Sequence, residues 1–194
     1  MNDEQSQVIY RLLNSAHKWH GKACKLKHCA DLLFKTYLAA RGLSPEEQSE
    51  TQDSEIDDVA TLLYGMAMED VLKAALLKEG IAQMRADGTV AWSAEGARDH
   101  DLLGICRSLK SVSLNADQEK LLERLSAFVC WAGKYPTPLN RKPNKDFQGF
   151  HLSNQPRAAA VTLPLPFDGE DKNMFDQIYE TISERIHPFK KTSA

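Results

Sequence analysis

Proline is nearly missing from the first two thirds of this chain. Of 8 prolines in 194 residues only Pro45 precedes Tyr135, and the others stand at 136, 138, 143, 156, 164, 166 and 188. Helices can therefore run without a built-in break from Glu46 to Tyr135, whereas the last third is repeatedly interrupted. Cysteine is also scarce. Cys24, Cys29, Cys106 and Cys130 are too few for a disulfide scaffold in a chain of this length and read as free thiols. The sequence has no CxxC, GxSxG, GxGxxG or HExxH, which removes the usual signatures of redox, hydrolase, dinucleotide-binding and zincin chemistry. No apolar run approaches the ~18 residues of a membrane helix. The N-terminal MNDEQSQ is polar and acidic, without a signal pattern, so the expected location is cytoplasmic. Neither sign of charge dominates: 24 Lys+Arg against 27 Asp+Glu gives a net charge of −3. That balance argues against a generally basic nucleic-acid binder but allows a local basic patch.

What is present is helical periodicity. Val8, Leu12, Trp19, Ala23, Leu26, Ala30, Leu33 and Tyr37 recur at three- and four-residue steps from about Gln5 to Arg41, with Gly42 as the stop. Residues 44–58 carry seven acidic groups and no basic one, and read as a solvated linker entering the next helix. A second helix is expected from about Glu55 to Lys78, ending at Gly80, with Val59, Leu62, Leu63, Met66, Ala67, Val71, Ala74, Leu76 and Leu77 as its apolar positions. The following stretch reads as a loop with a strand-like piece at Thr89–Trp92. A third helix is expected from about His100 to Leu109. A fourth starts after Asn115 as N-cap and runs to about Gly133. A last amphipathic helix holds Phe175, Ile178, Tyr179, Ile182 and Ile186. The expected fold is all-α: an up-and-down four-helix bundle (residues 1–135, including the acidic linker), then a basic Pro-rich arm and a closing helix (136–194) packed on it.

Several residues break these patterns. Glu69, Asp70 and Lys73 fall inside the apolar arc of the second helix, where ionisable groups are costly unless paired. Either Glu69 and Lys73 form an i,i+4 pair at the edge of the bundle, or the three mark a polar site. His100-Asp101 opens the third helix, where His100 reads as a capping residue or a site residue. His17, His20, Cys24 and His28 run along one line of the first helix, opposite its apolar stripe. They imply no metal site within one chain; a pair such as His20/Cys24 or Cys24/His28 could hold zinc only with ligands from another chain. No cofactor is implied. In the last third Lys134, Arg141, Lys142, Lys145 and Arg157 interleave with Tyr135, Phe147 and Phe150. These are cations and rings of the kind that track a nucleic-acid backbone and stack on bases, or a basic loop lying over an acidic surface.

Three of these segments, YGMAMEDVLKAALLKEG, HDLLGICRSLK and SLNADQEKLLERLSAFVCWAGKYPTP, together resemble a bacterial group with HEPN-type helical domains. The resemblance rests on Tyr64, Gly65, Glu69 and Lys73; on His100, Asp101 and Leu102; and on Trp131, Gly133, Lys134, Tyr135 and Pro136. It implies an up-and-down helical bundle, often homodimeric. It also implies, for many members, metal-independent RNA cleavage at an R-x4–6-H motif in toxin–antitoxin or phage-defence systems. This chain's one formal match, Arg11 to His17, lies in the first helix, and its ends are about 120° apart on a regular helix. The expected function is therefore a HEPN-like binding or assembly module in a stress or phage-defence system, with RNA or a protein as partner. The alternatives are a metal-independent ribonuclease with a divergent site at a dimer interface, and a metal-binding regulator. For the ribonuclease the candidate catalytic residues are His100, Lys73, Glu69 and Arg141, with Lys134, Tyr135, Lys142 and Lys145 on the substrate.

Overall fold

The first helix begins where its cap begins. The Ser15 side chain accepts from the Lys18 N–H, and α1 runs over Ala16–Arg41 until Gly42, whose N–H returns to the carbonyls of Ala39 and Ala40. The computed structural model describes residues 15–42, 50–85, 90–91, 100–110, 112–132 and 167–186, together with Gln5 and Val8. In α1 the buried positions are Ala23, Ala30, Phe34 and Tyr37, with Trp19, Leu26 and Leu33 partly covered. Val8, assigned to the same stripe from periodicity, is exposed.

The second helix, α2, spans Glu50–Lys78 and starts earlier than its apolar residues suggested. Part of the acidic stretch is therefore helical, because carboxylates at a helix N-terminus oppose the dipole favourably. Six consecutive residues, Ala67 to Leu72, are buried, so α2 has no solvent face over that span. It is the central helix, packed against every other helix of the described fold. Val59, placed in its apolar set by the sequence, is exposed instead. Trp19 meets Lys73, Lys22 meets Asp70 and Asp31 meets Tyr64. Numbers rise on α1 as they fall on α2, so the two are antiparallel. A chain reversal at Gly80 (φ 71°) leads into a two-residue antiparallel ribbon, Gln83–Met84 with Val90–Ala91. The second strand is the piece expected at Thr89–Trp92; the first lay in a stretch read as loop.

Helix α3 covers Leu102–Ser108. Helix α4, Ala116–Ala127, opens on a full capping box in which Asn115 and Gln118 satisfy each other's backbone N–H groups. It continues through a wider π-helical turn, Phe128–Ala132. At Gly65 a Cβ would stand 2.5 Å from the Val129 side chain and 3.1 Å from the Leu125 carbonyl. Only glycine lets α2 and α4 approach this closely. Helix α5, Gly169–Ile186, closes the core with Phe175, Ile178, Ile182 and Ile186. Its start is fixed by Asp168, whose carboxylate accepts from the N–H groups of Glu170 and Asp171, while Asp171 accepts from the Asp168 N–H. The fold is all-α. The stretch read as a basic Pro-rich arm, 136–166, lies outside the described residues.

Candidate functional site

The ionisable groups that the sequence placed in the apolar arc of α2 are buried: Glu69 is 6% exposed and Asp70 4%. Each finds partners from another element. The Glu69 carboxylate takes the Lys73 ammonium on Oε1 (2.5 Å) and the His100 ring Nδ1 on Oε2 (2.8 Å). Both oxygens of one buried carboxylate thus join α2 to the turn before α3. Burial alone would raise the Glu69 pKa; the bonds from Lys73 and His100 outweigh it and hold the carboxyl below its ordinary range. Also beside Trp19, Lys22 reaches Asp70 at 3.1 Å. For Asp70 burial prevails over Lys22, and its pKa is raised. The ammonium groups of Lys73 and Lys22 lie 5.4 and 5.6 Å from the Trp19 ring centroid, so two cations share one indole.

Within the Glu69–Lys73–His100 group, His100 is the most exposed member, with a side chain 40% exposed. Its backbone is left-handed (φ 72°), an uncommon conformation for a residue with a Cβ, though histidine tolerates it better than most. The N-cap of α3 is Asp101, not His100: its carboxylate accepts from the Gly104 N–H at 2.9 Å. The Leu102 N–H donates to the buried Ser126 hydroxyl at 3.0 Å, which ties the start of α3 to α4. With the following two residues anchored, the left-handed turn holds the imidazole against Glu69. Strain kept at such a position is characteristic of functional turns. Nearby on α1, a depression of about 320 Å³ is lined by His17, Lys18, Gly21, Lys22 and Lys25. Three of those five residues are lysines.

Three of the four candidate catalytic residues, Glu69, Lys73 and His100, therefore meet in one place. Arg141 and the candidate substrate residues Lys134, Tyr135, Lys142 and Lys145 lie outside the described residues, as does Arg11 of the R-x4–6-H match. Trp19 and Lys22 were not picked out as site residues, although the Lys22–Asp70 pair explains the third charge in the α2 arc.

A second polar cluster escaped the sequence almost entirely. The Tyr64 hydroxyl donates to Asp31 at 2.9 Å, and Asp31 also receives Lys27 (2.9 Å) and Lys172 (3.2 Å). Lys27 and Lys172 both reach Asp176 as well. Desolvation opposes charge on Asp31, but its hydrogen bonds prevail and lower its pKa; for Lys27 they prevail and raise it. The Tyr64 ring is stacked on Phe167 and lies beside Phe175, each 4.8 Å away. A buried ion pair between Arg124 and Asp171 ties α4 to α5. Among the described residues no group of three or more His, Cys, Asp or Glu is arranged to hold a metal ion, and no helix is long and apolar enough to cross a membrane. Comparisons with protein families, with curated proteins and with solved structures find no match.

Proposed function

We propose that the chain is a HEPN-like helical module that engages RNA at the Glu69–Lys73–His100 cluster and cleaves it without a metal. The supporting observation is the hydrogen bond from His100 Nδ1 to the buried Glu69 carboxylate. A carboxylate on Nδ1 selects the tautomer with the proton there and leaves Nε2 as the basic nitrogen. In this reading Nε2 accepts the proton of a 2′-hydroxyl, the 2′-oxygen bonds to phosphorus, and the bond to the 5′-oxygen breaks. The leaving oxygen then takes a proton from the imidazolium. The charge on the phosphate is met by Lys22 and Lys73 around Trp19 and by the lysines of the α1 depression. The positions behind the HEPN resemblance support the same place, since Glu69, Lys73, His100 and Asp101 are all in or beside it.

A second reading has its own observation. The Lys73 ammonium is held between Glu69 and the Trp19 face, so the cluster also serves as a clamp between helices of a binding or assembly module. The test is incubation of single-stranded RNA with the full chain in chelator, beside His100→Ala and Glu69→Gln, with binding followed on the same RNA. Cleavage that is lost in both variants is the expected result. Binding without cleavage in every protein selects the module; neither activity in the unsubstituted chain makes the cluster structural only.

A further inference from the structure

The two lysines that share the Trp19 ring are held in different ways. Lys73 is 12% exposed, and its ammonium donates to a Glu69 carboxylate whose other oxygen is taken by His100, so it belongs to a closed set. The Lys22 side chain is 56% exposed and lines the α1 depression with His17, Lys18, Gly21 and Lys25. Its hold on Asp70 is one ion contact, at 3.1 Å to Oδ2, and that buried oxygen has no hydrogen-bond partner. Aligned bonds between charged groups are strong, whereas an ion contact with one solvated member is weak. Asp70 itself is 4% exposed. The titratable groups that face it are Lys22 from α1, Glu69 and Lys73 on its own helix, and Tyr179 from α5.

We propose that Asp70 is an internal competitor for Lys22: it holds the ammonium in the free chain and yields it to a backbone phosphate of bound RNA. The inference rests on the reading that RNA is engaged at this cluster, but not on its cleavage. A phosphate meets Lys22 in the open, where the lysine already is, while the charge on Asp70 is kept at a desolvation cost. When Lys22 leaves, the Asp70 carboxyl is left between the like charge of Glu69 and the committed cation of Lys73, and it takes up a proton from solvent. RNA binding and proton uptake are therefore linked. Lys73 stays where it is, because the carboxylate it neutralises also positions His100. Of the two cations on the indole, Lys22 is the mobile phosphate ligand and Lys73 the fixed one.

The test uses the full-length chain and a single-stranded 2′-O-methyl RNA, which has no free 2′-hydroxyl and so binds without being cut. Calorimetry in buffers of different ionisation enthalpy counts the protons taken up. The unsubstituted chain is expected to take up more than Asp70→Asn, by up to about one proton per chain. Asp70→Asn is expected to bind about threefold more tightly, because an amide no longer retains Lys22 by charge. In a Lys22→Ala background the same substitution shifts affinity by less than about 1.5-fold. That cycle separates competition for Lys22 from a general loss of negative charge, whose size Glu180→Gln on the exposed face of α5 supplies. Lys22→Ala alone binds more weakly and loses the same proton uptake, a readout that leaves the core untouched. The proposal is overturned if Asp70→Asn binds no more tightly, if the tightening persists without Lys22, or if both variants keep the full uptake. Binding without cleavage of ordinary RNA removes the ribonuclease and leaves this exchange standing; no binding of either RNA removes both.

Discussion

The Glu69 cluster and the Asp31 cluster both draw on α1 and α2, yet they differ in how they are closed. Around Asp31 two lysines meet two aspartates and a tyrosine, and the i,i+4 pairs Lys27–Asp31 and Lys172–Asp176 supply much of the geometry. All of its groups lie on regular helix, and its work is to hold α1, α2 and α5 together around the Tyr64 ring. Around Glu69 the i,i+4 pair with Lys73 is only half of the arrangement. The other half is an imidazole from a left-handed turn, partly open to solvent and able to give and take a proton. A balanced set on helices stabilises; the strained, half-open set that contains a histidine is the one on which the proposed reaction rests.

Substitutions can break this contrast. The largest effect is expected from Glu69→Gln, which removes the charge facing His100 and Lys73: RNA cleavage falls at least about 100-fold, while circular dichroism still reports a folded chain. Stability near that of the unsubstituted protein together with full cleavage would falsify the contrast. Next comes Asp31→Asn, which leaves Lys27, Lys172 and Tyr64 without their common charged acceptor. With Asp31 partly exposed, a loss of about 2 kcal/mol in urea unfolding is expected, and cleavage per folded molecule is unchanged.

A third region sharpens the comparison because there α2 buries an acid for which burial outweighs the pull of the cation facing it. Asp57 accepts from the Phe167 backbone N–H, and its Oδ1 has no hydrogen-bond partner among the described residues. Burial first, then the charge of Asp58 and that of Asp171, raise its pKa from 3.8 to about 6, against the opposing pull of the Phe167 N–H and Arg41. The folded state therefore binds this proton more tightly than the unfolded chain, and stability drains away as pH rises from about 4 to about 6. Asp57→Asn is expected to stabilise the protein by about 1–2 kcal/mol above pH 7, with the gain gone below pH 4 in parallel melts. The smallest effect belongs to Tyr64→Phe. Asp31 keeps both lysines, so about 1 kcal/mol is lost; a much larger loss would mean that the phenol, not the ion pairs, holds that cluster together.

Much of the helical layout was legible beforehand because its causes are local. Asn115 and Gly42 act within a turn of themselves, and Asn115 forms the capping box its identity suggests, whereas the cap at Ser15 lay inside the helix expected from Gln5 and was not read. Glu69, Asp70 and Lys73 stood out because charge on an apolar arc is visible at helical spacing. Val8 and Val59 misled because periodicity identifies a face without saying whether another element covers it. The start of α2 was missed for a related reason: an acidic stretch reads as solvated whether or not it is helical.

Residue order alone thus specified an all-α chain, the helix ends at Gly42 and Asn115, and the charged residues that the core would have to accommodate. Each of these follows from interactions across a few residues. The partners of those charges came from elsewhere: His100 reaches Glu69 across 31 positions, Tyr64 reaches Asp31 across 33, and Tyr179 reaches Cys24 across 155. Such meetings depend on which helix faces which, and on the approach of α2 to α4 that Gly65 permits. Helical period carries no record of either. Only packing converted the anomaly on α2 into a carboxylate-held imidazole.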